Sequence, residues 1–248
     1  MNSKLIVRLL KKLWGIYALI IFISTLLISF CSYVLVFLLA SEKKSPFIAH
    51  QYVSRSWSRV LFFFFGIQLI VKNKERIDKN QTYVFIANHR SQLDIPCYAI
   101  ATDHTIRFLS KVELTKIPLL GYVIRHLYIT VDRKDKEARA KSMEKMIKSL
   151  SDGISVFICP EGTRNKCNEP LLPFHDGAFR LAIQSQKPIA LLVLNGVDKL
   201  NSPKHPLELA PGKVTGQWCE PISTAGMTLE DLPALKEETI KQMLVYLH

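Results

Sequence analysis

Two short clusters carry residue types able to do chemistry: Asn88-His89-Arg90-Ser91-Gln92-Leu93-Asp94 and Pro160-Glu161-Gly162-Thr163-Arg164. In the first, a carboxylate bonded to one imidazole nitrogen would fix the tautomer of His89 and leave the other nitrogen free to take a proton. Five residues apart on one helix, His89 and Asp94 would point about 140° away from each other. On a tight loop they can meet. Ile95-Pro96 follows Asp94, and proline is tolerated in a first helical turn, so Asp94 reads as the N-cap of a helix with His89 in the loop before it. A base of this kind takes its nucleophile from a substrate. The alternative is that Asp94 only caps its helix and His89 only satisfies loop backbone.

In the second cluster a flexible glycine adjoins a hydroxyl and a guanidinium, so main-chain N–H groups and a planar cation can converge on an anion. Arg164 is the natural phosphate ligand. Taken alone, the segment also describes an ordinary turn with a solvated arginine. Ser91 lacks the Gly-x-Ser-x-Gly setting of an exposed nucleophile, and Gly162 to Lys166 lacks the order of a phosphate-binding Walker loop. The five cysteines (Cys31, Cys97, Cys159, Cys167, Cys219) are odd in number and form no Cys-x-x-Cys pair. A reducing compartment is expected, with no disulfide framework. Cys159, Cys167 and His175 lack metal-ligand spacing, and neither a metal nor a cofactor is expected.

The elements that must position these residues are legible in outline. Thr82 to Ala87 is rich in β-branched and aromatic residues and reads as a buried strand. A helix follows from Ile95 to Thr102, a strand at Ile106–Leu109, a helix opening near Ile117, and a strand at Leu127–Val131. Lys134 to Leu150 places Met143, Met146, Ile147 and Leu150 on one helical face. Strands at Ile154–Ile158 and Ile189–Leu194 flank a helix from Asp176 to Ser185. Lys213–Trp218 reads as a strand near an edge, and Thr228 to Asp231 as a capping box opening a last helix to Leu247. The fold class is α/β, with a mixed, largely parallel sheet flanked by helices. His89 and Asp94, Lys111 and Glu113, Asp132 and Arg133, Glu161 to Arg164, and Asn195 each follow the carboxyl end of a strand, the edge where open α/β sheets bind ligands.

No charged residue occurs from position 13 through 41. As one helix this stretch would run about 43 Å, longer than a hydrocarbon core of roughly 30 Å requires, so it tilts, bends or forms a re-entrant hairpin at Ser24-Thr25, Ser29 or Ser32. Val60 to Val71 is too short to span and suits an interfacial or buried segment. Residues 1–72 are expected to be membrane-associated and 73–248 to form the catalytic domain. Basic residues flank the apolar run on both sides, which a hairpin with both ends on one face would explain. The net charge of +12 calls for an anionic partner: nucleic acid, a phospholipid surface or a phosphorylated substrate. No groove-reading motif is present, so specific nucleic-acid binding is not expected.

The paired motifs, with Lys111-x-Glu113-Leu114-x3-Pro118-x2-Gly121, Asp132-Arg133, Gly177-Ala178-Phe179 and Pro188-Ile189, resemble the PlsC-type glycerolipid acyltransferases, the family of 1-acylglycerol-3-phosphate O-acyltransferases. The resemblance runs from about residue 82 to 195. It implies a catalytic dyad of His89 and Asp94, and acceptor binding at Glu161, Gly162, Thr163 and Arg164, to which Lys111 and Arg133 are added as further candidates. It implies a phospholipid membrane, a lysophospholipid acceptor, and acyl-CoA or acyl carrier protein as donor substrate. Attachment through the N-terminal segment, as one helix or a two-helix hairpin, would put the chain in a bacterial inner membrane or its equivalent, catalytic domain on the cytoplasmic side. Two positions depart from the family pattern. Asp176 stands before Gly177 where a basic residue is usual, and Leu191 stands where a second proline is usual.

Overall fold

The computed structural model describes residues 3–247. Helix α1, Ser3–Leu39, is a single run of 37 residues, about 55 Å long at 1.5 Å per residue. The helix runs unbroken through Ser24-Thr25, Ser29 and Ser32, so the re-entrant hairpin, one alternative there, is absent; the Thr25 hydroxyl donates back to the Ile21 carbonyl (2.7 Å) and Ser32 to Ile28 (3.4 Å). Those hydroxyls are satisfied without breaking the ladder. The chain reverses at residues 41–44 and returns through α2 (Ser45–Ile48), a π-helical segment (Ala49–Ser54) and α3 (Arg55–Phe65). The returning arm is antiparallel to α1. Tyr33 Oη and Ser54 Oγ lie 2.8 Å apart, Trp57 Nε1 donates to Thr25 Oγ1 (3.0 Å), and Trp14 Nε1 donates to the Phe65 carbonyl (3.1 Å). A two-helix hairpin is therefore present, but its second arm is residues 45–65 rather than part of 13–41.

The run expected to be one interfacial segment, 60–71, is two elements. Helix α3 stops at Gly66, whose φ of 66° is the left-handed conformation glycine tolerates, and strand β1 (Ile67–Lys72) begins at once. The sheet thus starts within the 1–72 segment.

The chain continues through β2 (Val84–Ala87), α4 (Asp94–Ala101), β3 (Ile106–Lys111), α5 (Leu120–Leu127), β4 (Ile129–Val131), α6 (Lys136–Ser151), β5 (Ser155–Ile158), α7 (Gly177–Ser185), β6 (Ile189–Asn195), α8 (Val197–Leu200), β7 (Gly212–Trp218) and α9 (Leu232–Tyr246). The seven strands order as β1-β7-β6-β2-β5-β3-β4, all neighbours parallel except β6 and β7. Strand β7 lies near an edge as expected, next to β1, which forms the edge itself. The fully buried strands β2, β5 and β6 are the continuous apolar runs that a sheet covered on both faces requires. Alternation along β2 sends Phe85 and Ala87 toward α3 and α4, where Phe62, Phe65, Tyr98, Phe157 and Trp218 pack. Val84 and Ile86 face α6, α7 and α9, against Leu150, Phe179 and Met243.

Helix α1 lies along the flank of this domain rather than projecting from it. Near its start, Arg8 Nε meets Glu208 Oε1 at 2.6 Å and Leu209 N donates to the Lys11 carbonyl (3.0 Å). Near its end, Phe30 and Phe37 pack on Tyr122 and His126 of α5.

Candidate active site

Register brings the two motif loops together. Phe85 pairs with Phe157 and Ile86 with Ile158, so β2 and β5 end level and their loops leave the sheet side by side. Asn88, the first residue past β2, is buried and clamps the neighbouring strand. Its amide donates to the Leu194 carbonyl (2.8 Å) and accepts from Leu194 N (2.8 Å). Tyr98, one turn into α4 and fully buried, donates its hydroxyl to the Asn88 carbonyl. The loop thereby leaves β2 along a fixed path.

Asp94 is the first residue of α4, preceded by Leu93 at the cap position, and its carboxylate turns back into the loop instead of capping the helix. One oxygen, Oδ2, accepts from His89 Nδ1 (2.8 Å), Arg90 N (2.6 Å) and Ser91 N (2.8 Å). The expected N-cap is thus a loop clasp. The three donors converge because the five-residue span forms a closed turn, and the bond at Nδ1 assigns that nitrogen the proton and leaves Nε2 as the basic one. Asp94 is 1 % exposed, whereas the His89 side chain keeps 20 % exposure. A dry carboxylate behind a solvent-reachable imidazole has the geometry of a base and its orienting group.

The second loop is tied to the first at two places. Asn165 N donates to the His89 carbonyl (2.7 Å), and Glu161 Oε1 accepts from His89 N (2.7 Å). The other Glu161 oxygen accepts from Leu172 N (2.9 Å). Glu161 is 3 % exposed, with burial pushing its carboxyl above the ordinary range against the pull of those two main-chain donors. With both oxygens engaged by backbone, Glu161 braces the His89 loop. Gly162 has φ 70°, and its face is so closely approached that a Cβ would lie 2.9 Å from both Arg133 Nη1 and the His175 ring. The Arg133 guanidinium, reaching in from the end of β4, donates to the Gly162 carbonyl. Arg133 thus holds the loop.

Thr163 is exposed and Arg164 half-buried on this loop. Among the described residues Arg164 has no hydrogen bond or ion pair within the chain, so its guanidinium is available to an anion. Lys111 ends β3, exposed, at the same edge of the sheet. Asp176, the residue that departs from the family pattern, pairs with Lys236 of α9 at 3.0 Å. Cys159, which precedes the loop, has its thiol pushed up to about 12 by burial and is not a thiolate nucleophile near neutrality.

All the polar clusters read from the sequence therefore share the carboxyl edge of the sheet. The residues missed are those that hold the loops: Asn88, Tyr98 and Asn165. Their signal is a run of polar groups immediately after fully buried strands, which must find partners.

An acyltransferase family model matches residues 68–194, a span that contains both loops. The chain belongs to the acyltransferase family. It is 31% identical over 185 residues to 1-acyl-sn-glycerol-3-phosphate acyltransferase alpha of Mus musculus, an alignment covering 73% of this chain and 64% of that protein. It is 30% identical over 192 residues to the beta enzyme of Homo sapiens, covering 75% of this chain and 67% of the relative. The chain thus spans about two thirds of the length of these relatives. The crystal structure of the 1-acyl-sn-glycerophosphate acyltransferase PlsC from Thermotoga maritima superposes with a TM-score of 0.78 over 94% of this chain and 95% of that one, at 23% identity. The fold of this family member is accordingly the PlsC fold.

Proposed function

We propose that this acyltransferase-family protein transfers a fatty acyl group from acyl-CoA or acyl carrier protein to the free sn-2 hydroxyl of a 1-acylglycerol 3-phosphate, giving phosphatidic acid. The observation that carries the reading is the clasped His89–Asp94 pair bonded through its main chain to the loop bearing Arg164. The names of the relatives support the choice of acceptor.

In this reaction His89 Nε2 removes the hydroxyl proton as the oxygen attacks the thioester carbonyl. The resulting imidazolium faces Asp94 through Nδ1, and collapse of the tetrahedral intermediate expels the carrier thiolate, which takes up the proton. A positioned base supplies about 10²–10⁴-fold. Proximity supplies most of the remainder, with Arg164 holding the acceptor phosphate and Thr163 and Lys111 lining its approach. Glu161, Gly162 and Arg133 act by keeping that loop against His89.

Helix α1 is long and apolar enough to cross a membrane, and its outward side chains include Leu27, Ile28, Leu35 and Leu38. Because α1 runs along the domain at both ends, the reading that fits is a hairpin immersed in one leaflet with the domain at the same face, on the cytoplasmic side. The test is a panel of lysolipids offered with acyl-CoA to the purified protein in detergent, with products separated by thin-layer chromatography. Phosphatidic acid from lysophosphatidic acid is expected. Transfer to other lysolipids but not to this one would refute the acceptor assignment.

A further inference from the structure

Ser91 is fully buried in the catalytic loop and has no part in the chemistry above. Its N–H donates to Asp94 Oδ2 (2.8 Å), its hydroxyl oxygen accepts from Leu93 N (3.2 Å), and that hydroxyl donates to Asn201 Oδ1 (2.9 Å). Asn201, 4 % exposed, follows α8 at the same edge of the sheet and opens the loop to β7. Its amide nitrogen donates onward to the carbonyls of Pro206 (3.0 Å) and Glu208 (3.1 Å), and Gln92 of the catalytic loop donates to Pro206 as well (3.3 Å). Those carbonyls can only accept, which fixes the orientation of the amide and makes the Ser91 hydroxyl the donor. Asn201 therefore holds the loop that carries His89 with its oxygen and the backbone of residues 206–208 with its nitrogen.

Residues 207–209 are also where the start of α1 rests. Glu208 pairs with Arg8, Leu209 N donates to the Lys11 carbonyl, and the Leu207 carbonyl leaves no room for a Cβ at Gly15. On the opposite side of the same stretch of helix, Leu9, Leu10, Leu13 and Ile16 are exposed. One stretch of α1 thus offers an apolar face outward and presses on residues 207–209 inward. We infer that Asn201 is a positioning residue that relays the seating of α1 to the His89–Asp94 clasp, an inference that rests on the acyl-transfer reading for what the clasp does. With α1 seated against a bilayer, residues 206–209 hold Asn201, Asn201 holds Ser91, and Ser91 holds the carboxylate that orients the base. Burial closes both side chains off from solvent, so a displacement of residues 206–208 passes to the catalytic loop instead of being absorbed by new partners.

The test uses the full chain in detergent micelles and a double-mutant cycle. Asn201→Ala removes the relay, Gly15→Ala pushes α1 off its seat, and the two are measured singly and together, with thermal midpoints to check the fold. Where Gly15→Ala does not fold, Arg8→Ala, which loses only an exposed pair, takes its place with a smaller effect. Expected is a fall in kcat of roughly 10–100-fold in each single variant, the upper end being what a displacement of about 1 Å costs, with KM for donor and acceptor unchanged. In the Asn201→Ala background the substitution in α1 should cost nothing further, because the path it acts through is already cut. Amide hydrogen exchange across residues 88–94, read by mass spectrometry, should rise in the same variants and by no more in the double. Additive losses in the cycle, losses confined to KM, or a lowered thermal midpoint with kcat and exchange unchanged would overturn the relay. Non-additive exchange at 88–94 in a protein that transfers no acyl group to any lysolipid would refute the reaction and leave the relay standing.

Discussion

Asp94 gathers three donors on one oxygen, and that convergence turns a five-residue spacing into contact with His89. Asp94→Asn keeps an acceptor for the loop amides but removes the charge facing the imidazolium. Turnover is expected to fall by about 10²–10⁴-fold with KM for both substrates little changed, as steady-state kinetics would reveal. Arg164 has the opposite signature. Arg164→Ala should raise acceptor KM by roughly 10–100-fold, the range of a charge-assisted hydrogen bond of about 1.5–3 kcal/mol, with partial recovery in Arg164→Lys. Equal kinetics in Arg164→Ala and wild type would remove Arg164 from the site. The types and spacing of His89, Asp94 and Arg164 were legible in the sequence because loops after strands concentrate chemistry at one edge. The bracing role of Glu161 was not, because it depends on two main-chain donors, one of them 72 residues away.

Among the elements, the strands read best where they are buried on both faces. Strand β1 escaped notice because it is half exposed and follows four phenylalanines without a polar break, its only boundary signal being Gly66. The order of strands was likewise out of reach, since β7 gains its cover from β1, about 140 residues upstream in register. The segment between α4 and β3 carries a pH consequence. His104 stacks edge-on against Tyr83 and Phe85, and its Nε2 lies 2.9 Å from the Asp78 carbonyl, to which it donates. Burial, outweighing the nearby carbonyl and carboxylate, lowers its pKa from the ordinary 6.5. The folded state therefore prefers the neutral ring, and the unfolded chain binds more protons as pH falls through the region below 6.5. Stability contributed by the neutral ring is full above that value and lost beneath it. His104→Gln should consequently show a smaller drop in thermal midpoint between about pH 7 and about pH 5 than the wild type. An equal drop would show that His104 is not the group responsible.

For the whole molecule, the +12 charge reads as requiring an anionic partner, whereas the hairpin expected within 13–41 forms instead between α1 and residues 45–65. That α1 would dock along the domain was not legible, because the residues it packs on, such as Tyr122, His126 and Glu208, lie 85 to 200 residues downstream. Gly15 sits so near the loop after α8 that a Cβ would fall 1.8 Å from the Leu207 carbonyl. The exposed Arg8–Glu208 pair beside it is worth no more than about 1 kcal/mol. Gly15→Leu should therefore lower the thermal midpoint while leaving co-sedimentation with vesicles intact, because the lipid-facing leucines are untouched. Loss of vesicle binding in that variant would mean that docking and membrane attachment are one event. The claim on which the account turns is that an imidazole clasped by a carboxylate activates an alcohol for acyl transfer. The direct test is the rate of phosphatidic acid formation from labelled acyl-CoA and lysophosphatidic acid by wild type and a folded His89→Ala variant. A loss of about a hundredfold or more at unchanged substrate binding is predicted, and undiminished turnover by His89→Ala would contradict it.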